Sequence, residues 1–233
     1  MNIKCFYLEP TDTMRVWLRR YRSADPETKP CPLPEKYHQA MTLIGDRAEK
    51  KDADGYVESI SQEVYADDPR WPVKCECGYE FGPLAPDEFQ VFSRSLYRRT
   101  DTGEIMTLED APAGAIWNAW WQFNRQTDGQ SLNCICPGGH HWNIDGRAGN
   151  CDSPCVNCGQ PYHAHTWANK GQNEGPNQCK NYQDARPHQC WIRHGTPPKL
   201  TVDKNGVTCG AGAGSILAPG WHGFLTDGEL RDA

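Results

Sequence analysis

The chain has 233 residues, 37% of them hydrophobic, with nine Trp, nine Tyr, six Phe, eighteen Pro and twenty-two Gly. That length admits one β-rich domain or a domain with an appendage; the aromatics supply core bulk, while the Pro and Gly content excludes much long regular structure. A formal charge of −6 argues against a nucleic-acid partner, which needs clustered Lys and Arg on its phosphates, and no run approaches the ~20 apolar residues of a membrane span.

The opening MNIKCFYLEPTDTMR has no apolar run behind a basic start, so it does not read as a secretory signal. Without export, the twelve cysteines are expected as thiols and metal ligands, not as a disulfide framework. Residues 2–22 read as a hairpin: IKCFYLEP is strand-like, EPTDT supplies turn residues and MRVWLRRYR alternates in part. In a strand, Arg15, Trp17, Arg19 and Tyr21 share one face. A solvated edge with snorkelling arginines is the plainer account of that face, an anion-binding surface the sharper one.

Residues 23–34 are proline-rich and extended, and EKYHQAMTLIGDRAEKK predicts a helix from near Glu35. The charged stretch 46–72 reads as surface. Pro-Asp ahead of DEFQVFSRSLYRR is a helix-start signal although its end looks like a strand, and LYRRTDTGEIMTL reads as a hairpin turning at TDTG. In APAGAIWNAWWQFN, Trp117, Trp120 and Trp121 have i, i+3, i+4 spacing, which fits one face of a short helix, packed in the core or serving as a partner hot spot. NIDGR, VDKNGVT and LTDGEL then place Asp-Gly or Asn-Gly between short apolar pieces, which favours antiparallel pairing in the last third. The sum is an α+β chain, β-rich and loop-rich, built of antiparallel hairpins with a few short helices and stabilised by zinc.

Cys155-x2-Cys158-Gly is the strongest chemical signal. Two thiolates three residues apart can grip one ion in a tight turn, and zinc takes four N or S donors in a tetrahedron. Cys179 is the natural third ligand and His165 the fourth, with His163 as its substitute. A site closed by four protein ligands is structural, and in so polar a segment it stands in for a missing core. A second constellation is Cys75-x-Cys77-Gly with Cys134-x-Cys136-Pro. In a flat strand such thiols stand ~7 Å apart, but Gly78 and Pro137 allow bends that bring two CxC turns to one ion. Alternatively one pair alone binds, helped by His140 or His141.

Cys151, Cys190, His194, Cys209 and His222 form a looser group with no zinc spacing. Cys190 and His194 would meet on a helix at i, i+4, which admits a Cys–His nucleophile, though buried thiols are the plainer account. CGAGAGSI at 209–216 lacks the lysine of a phosphate-binding loop and fits close packing or a bulged strand.

CWIRHG, TVDKNGVTCGAGAGSI and HGFLTDGEL, with TDTGEIMTLEDAPAGAIW and HWNIDGRAGNC earlier, resemble a family of uncharacterised proteins encoded by tailed bacteriophages and prophages. The resemblance covers roughly residues 95–153 and 188–230 and implies a setting, not an activity. It also implies that 155–186 is an inserted zinc-binding loop within a main β-rich domain of residues 1–154 and 187–233. The expectation is a phage-encoded zinc-binding protein acting non-enzymatically through protein–protein surfaces, as a minor virion component of capsid or tail. Its place is the host cytoplasm or the virion, and its partners are phage structural proteins or a host factor. An early protein that binds a host factor, a metal-dependent hydrolase and a nucleic-acid-binding zinc module are the alternatives.

Overall fold

A computed structural model describes residues 2–23, 31, 37–122, 128–146, 191–204 and 215–233. These residues are strand and turn almost throughout. In chain order the strands are β1 (Asn2–Lys4), β2 (Phe6–Ser23), β3 (Tyr37–Ala48), β4 (Phe89–Arg99), β5 (Ile105–Met106), β6 (Ala115–Asn118), β7 (Leu132–Ile135), β8 (His141–Asn143), β9 (Trp191–Thr196), β10 (Lys199–Lys204), β11 (Ile216–Ala218), β12 (Trp221–Thr226) and β13 (Glu229–Asp232). The helical content among them is one 3₁₀ turn, Gln62–Tyr65, capped by the Ser61 hydroxyl, which accepts from the Glu63 N–H. No described helix is long and apolar enough to cross a membrane.

The β-rich part of the expectation therefore holds, and the predicted helices do not form. The segment expected to be helical from near Glu35 is β3, because its Tyr37–Ala48 pairs antiparallel with β2 from Ser23 back to Thr13. Pairing along a whole strand overrides the helix preference of Ala, Met and Leu. The Pro-Asp start at DEFQ leads into β4, and Trp117 lies in β6 with Trp120 and Trp121 in the turn that follows.

Residues 2–22 do not fold back on themselves either. β2 runs unbroken through EPTDT, with Asp12 in the left-handed region at φ 56°. Its first residues pair parallel with β6 (Phe6↔Ala115, Leu8↔Trp117), while β1 pairs with β13. The hairpins at TDTG and LTDGEL do form. The second turns on Asp227 (φ 48°) and Gly228 (φ 73°), two successive left-handed residues that match the twist of a tight hairpin, with Leu225 opposite Leu230.

The chain forms two compact units. The first draws on the described parts of Met1–Glu9, Arg98–Glu104 and Asp110–Ala233, the second on those of Pro10–Tyr97 and Ile105–Glu109. In the first, Ile116, Leu132 and Ile144 pack with Trp191, Leu200, Ile216, Trp221, Leu225 and Leu230. In the second, the even-numbered residues of β2 supply the core: Met14, Val16 and Leu18 pack on Tyr65, Trp71 and Val91. Arg15, Trp17, Arg19 and Tyr21 alternate with them and are only partly covered, so the face read from MRVWLRRYR is real. The segment 155–186 lies outside the described residues.

Candidate metal centre

Within the second unit the strand alternation that buries Leu18 also buries Arg20 and, on β3, His38. Arg20 is 3% exposed, and its guanidinium hydrogen-bonds to backbone carbonyls and not to a carboxylate among the described residues. Its guanidinium donates instead to the carbonyls of Gly82 (2.9 Å) and Pro83 (3.2 Å), reaches Pro72 O at 3.5 Å and lies 4.9 Å from the Phe81 ring centroid. These groups bracket one small hairpin. Phe81 N–H donates to Val73 O and Cys75 N–H to Tyr79 O, and Gly78 N–H closes the turn on Cys75 O at 2.9 Å. Gly78 sits at φ 92°, a conformation glycine adopts without strain.

That turn carries Cys75 and Cys77. With Cys31 and His38 they form a cluster in which every donor atom lies within 4.8 Å of every other. A tetrahedral ion held ~2.3 Å from sulfur spaces its donors by roughly 3.8 Å, so the cluster fits one ion after a small contraction. His38 Nδ1 is 3.2 Å from Cys77 Sγ, which makes Nδ1 the ring nitrogen that faces the cluster. Tyr79 stacks on the His38 imidazole at 4.0 Å with the planes 7° apart, and Phe81 meets Tyr79 edge-on.

The Cys77 thiol is drawn down to about 7, first by the Tyr79 backbone N–H and then, against some burial, by Cys75, His38 and Cys31. A ready thiolate is what a metal requires of a cysteine ligand. Four protein donors leave no place for a water, so such a centre holds structure and does not activate substrate.

Of the residues singled out in the sequence, Cys75 and Cys77 are here, but their companions are Cys31 and His38. The expected pairing with Cys134 and Cys136 gives way to this arrangement. Cys134 and Cys136 lie in the first unit, in the core beside Cys5. Cys134 is pushed well up by its hydrogen bond to Cys5 and by burial, and Cys136 is pushed up to about 12 by burial and by Cys5. They are neutral thiols packed as small hydrophobes.

The local reason is the position of each pair on its turn. Cys136 N–H donates to His140 O and Gly139 N–H to Cys136 O, the same two bonds that close the Cys75 turn. Cys136 therefore corresponds to Cys75, and the place of Cys77 falls to Gly138 at φ 94°. Cys134 stays back in β7, opposite Trp142.

Cys155, Cys158, His165 and Cys179 lie outside the described residues, as do His163, Cys151, Cys190 and Cys209. Trp191–Thr196 is strand β9, so the helical spacing expected to join Cys190 to His194 does not arise. His194 pairs with Asp203 at 3.0 Å and His222 meets Ser215 Oγ at 2.8 Å, each at an exposed position. His141 sits edge-on to Trp117.

Cys31 and His38 went unread in the sequence: the first stands in a proline run, Pro30-Cys31-Pro32, and the second in the supposed helix. A cysteine fixed between two prolines was the one available signal. No protein-family model matches the chain, and no curated protein or solved structure does so either.

Proposed function

We propose that this chain is a zinc protein that acts non-enzymatically, through its surfaces, on other proteins. The observation behind this is the group Cys31, His38, Cys75 and Cys77, three thiols and an imidazole within 4.8 Å of one another. Three soft sulfurs with one nitrogen suit zinc better than the hard cations, which seek oxygen. A closed donor set assigns the ion to scaffolding, which weighs against the hydrolase reading because that chemistry needs an open coordination position. The phage-type wording of 95–153 and 188–230 supplies the setting: a minor capsid or tail component, made in the host cytoplasm and carried in the particle.

Elemental analysis tests the metal. Zinc content is expected to fall by one equivalent in both His38→Ala and Cys77→Ser relative to the parent chain. The comparison is by difference because Cys155, Cys158, His165 and Cys179 are expected to hold an ion of their own. Unchanged zinc in both variants removes this centre. Mass spectrometry of density-purified particles tests the setting, and absence of the chain from them removes the virion role.

A further inference from the structure

The outward face of the second unit carries groups that neither its core nor the metal centre uses. Across β2 and β3 the facing pairs are Arg15–Asp46, Trp17–Leu43, Arg19–Met41 and Tyr21–Gln39. From β4, Phe92 packs against Trp17 at 5.6 Å between ring centroids. Met41 is 55% exposed and Leu43 53%, with Tyr37 at 45% further along the same face. An aliphatic pair this open, on a sheet whose other face is packed, is a surface that gains by being covered.

The charges around it are uneven. Arg15 is held by Asp46 through two hydrogen bonds, at 2.9 and 3.3 Å, and Arg94 pairs with Glu109 while lying over Phe92. Arg19 stands between these flanks. Its Nη2 donates to the neutral Gln39 Oε1 at 2.9 Å, its Nε is buried without an acceptor, and no carboxylate pairs with it among the described residues. An apolar centre, a rim of satisfied ion pairs and a guanidinium lacking an anion among the described residues match the anatomy of a protein interface. Arg beside aromatic side chains is also a common site of concentrated binding energy.

We propose that this β2–β3–β4 face docks a protein segment of apolar residues carrying one carboxylate, which covers Met41 and Leu43 and pairs with Arg19. Charge complementarity selects this occupant. A nucleic-acid strand would need a series of free cations for successive phosphates, and Asp46 and Glu109 already take the flanking ones. A second copy docked face to face about a central axis would set Arg19 near its own counterpart. Met41 suits a partner whose apolar side chains vary, since its unbranched thioether repacks readily. The inference rests on the reading above only in taking the chain to act by binding.

The test selects from a library of random short peptides against the whole, zinc-loaded chain, with Arg19→Gln and Met41→Asp as comparison targets. Enriched peptides are expected to carry Asp or Glu among Leu, Met, Ile or Phe, and to bind each variant at least about tenfold more weakly. Peptides that bind both variants as well as the parent, or no enrichment at all, overturn the proposal. So does retention of oligodeoxythymidylate that Arg19→Gln abolishes, which would make the face a nucleic-acid surface, or a dimer that Met41→Asp splits in sedimentation. Zinc content is measured alongside. Both substitutions lie away from the four donors, so failure of the docking face and failure of the metal centre read out separately.

Discussion

Cys77 and Gly138 hold the same place in two turns closed by the same two hydrogen bonds, and that single difference separates a CxC whose thiols converge from a packed one. In the first turn the leading cysteine is also the first residue of the turn, so its second thiol falls within the turn and both sulfurs converge. In the second the pair is displaced two residues back along the strand. Cys134 keeps its strand position, Cys136 opens the turn, and a left-handed glycine stands where a donor would be needed. Spacing alone could not reveal this, because both motifs read Cys-x-Cys; the offset is a property of hydrogen bonding. The two thiol environments differ in a measurable way. With the metal stripped by chelator, Cys77 is expected to be alkylated with a midpoint near pH 7, its thiolate rising as pH rises through that value. Cys136, pushed up to about 12, and Cys134 are expected to stay unlabelled across the same range while the fold holds. Residue-resolved mass spectrometry checks it; equal labelling of the three would refute the distinction.

At the scale of elements, the alternation in MRVWLRRYR was legible and the partner strand was not. Arg15, Trp17, Arg19 and Tyr21 share a face as the sequence indicates, because period-two patterning survives any choice of neighbour. β3 was hidden because Ala40, Met41, Leu43 and Ala48 are good helix formers, and only pairing with β2 decides between the two states. A helical reading of β3 hides His38 as a candidate ligand, since on a helix it has no reason to share a face with β2's buried side chains. Arg20 carries the connection from strand to candidate centre. By donating to carbonyls on either side of the Val73–Phe81 hairpin it fixes the turn that presents Cys75 and Cys77. Replacement by Met keeps much of the stem's packing but leaves those carbonyls without their donor. Arg20→Met is therefore expected to lower stability by about 2–4 kcal/mol. It should also weaken zinc retention against a competing chelator, although no ligand has changed. Urea titration and chelator competition together check it, and loss of stability with unaltered zinc retention would reduce Arg20 to a packing residue.

At the scale of the molecule, the candidate centre belongs wholly to the second unit and the neutral thiols wholly to the first. The division was not legible because the units alternate along the chain: Arg98–Glu104 belongs to one and Ile105–Glu109 to the other, with no linker composition to mark the crossing. The described cysteines nonetheless provide a reporter in each unit. In chelator with rising urea, Cys31, Cys75 and Cys77 are expected to label at lower urea than Cys5, Cys134 and Cys136. In zinc-loaded protein that gap should shrink or reverse. Simultaneous labelling under both conditions would show that the metal does not stabilise the second unit selectively.

Cys31 and Cys75 are remote in sequence, and all of β3 lies between them. An ion gripping both ties the chain into a ring that persists as long as the ion is held, even when every strand within it has come apart. The unfolded chain then has fewer shapes open to it. For rings between 15 and 100 residues the chain-entropy argument for cross-links puts the effect at roughly 3–5 kcal/mol. Part of what the metal contributes would thus belong to a state that has no fold at all.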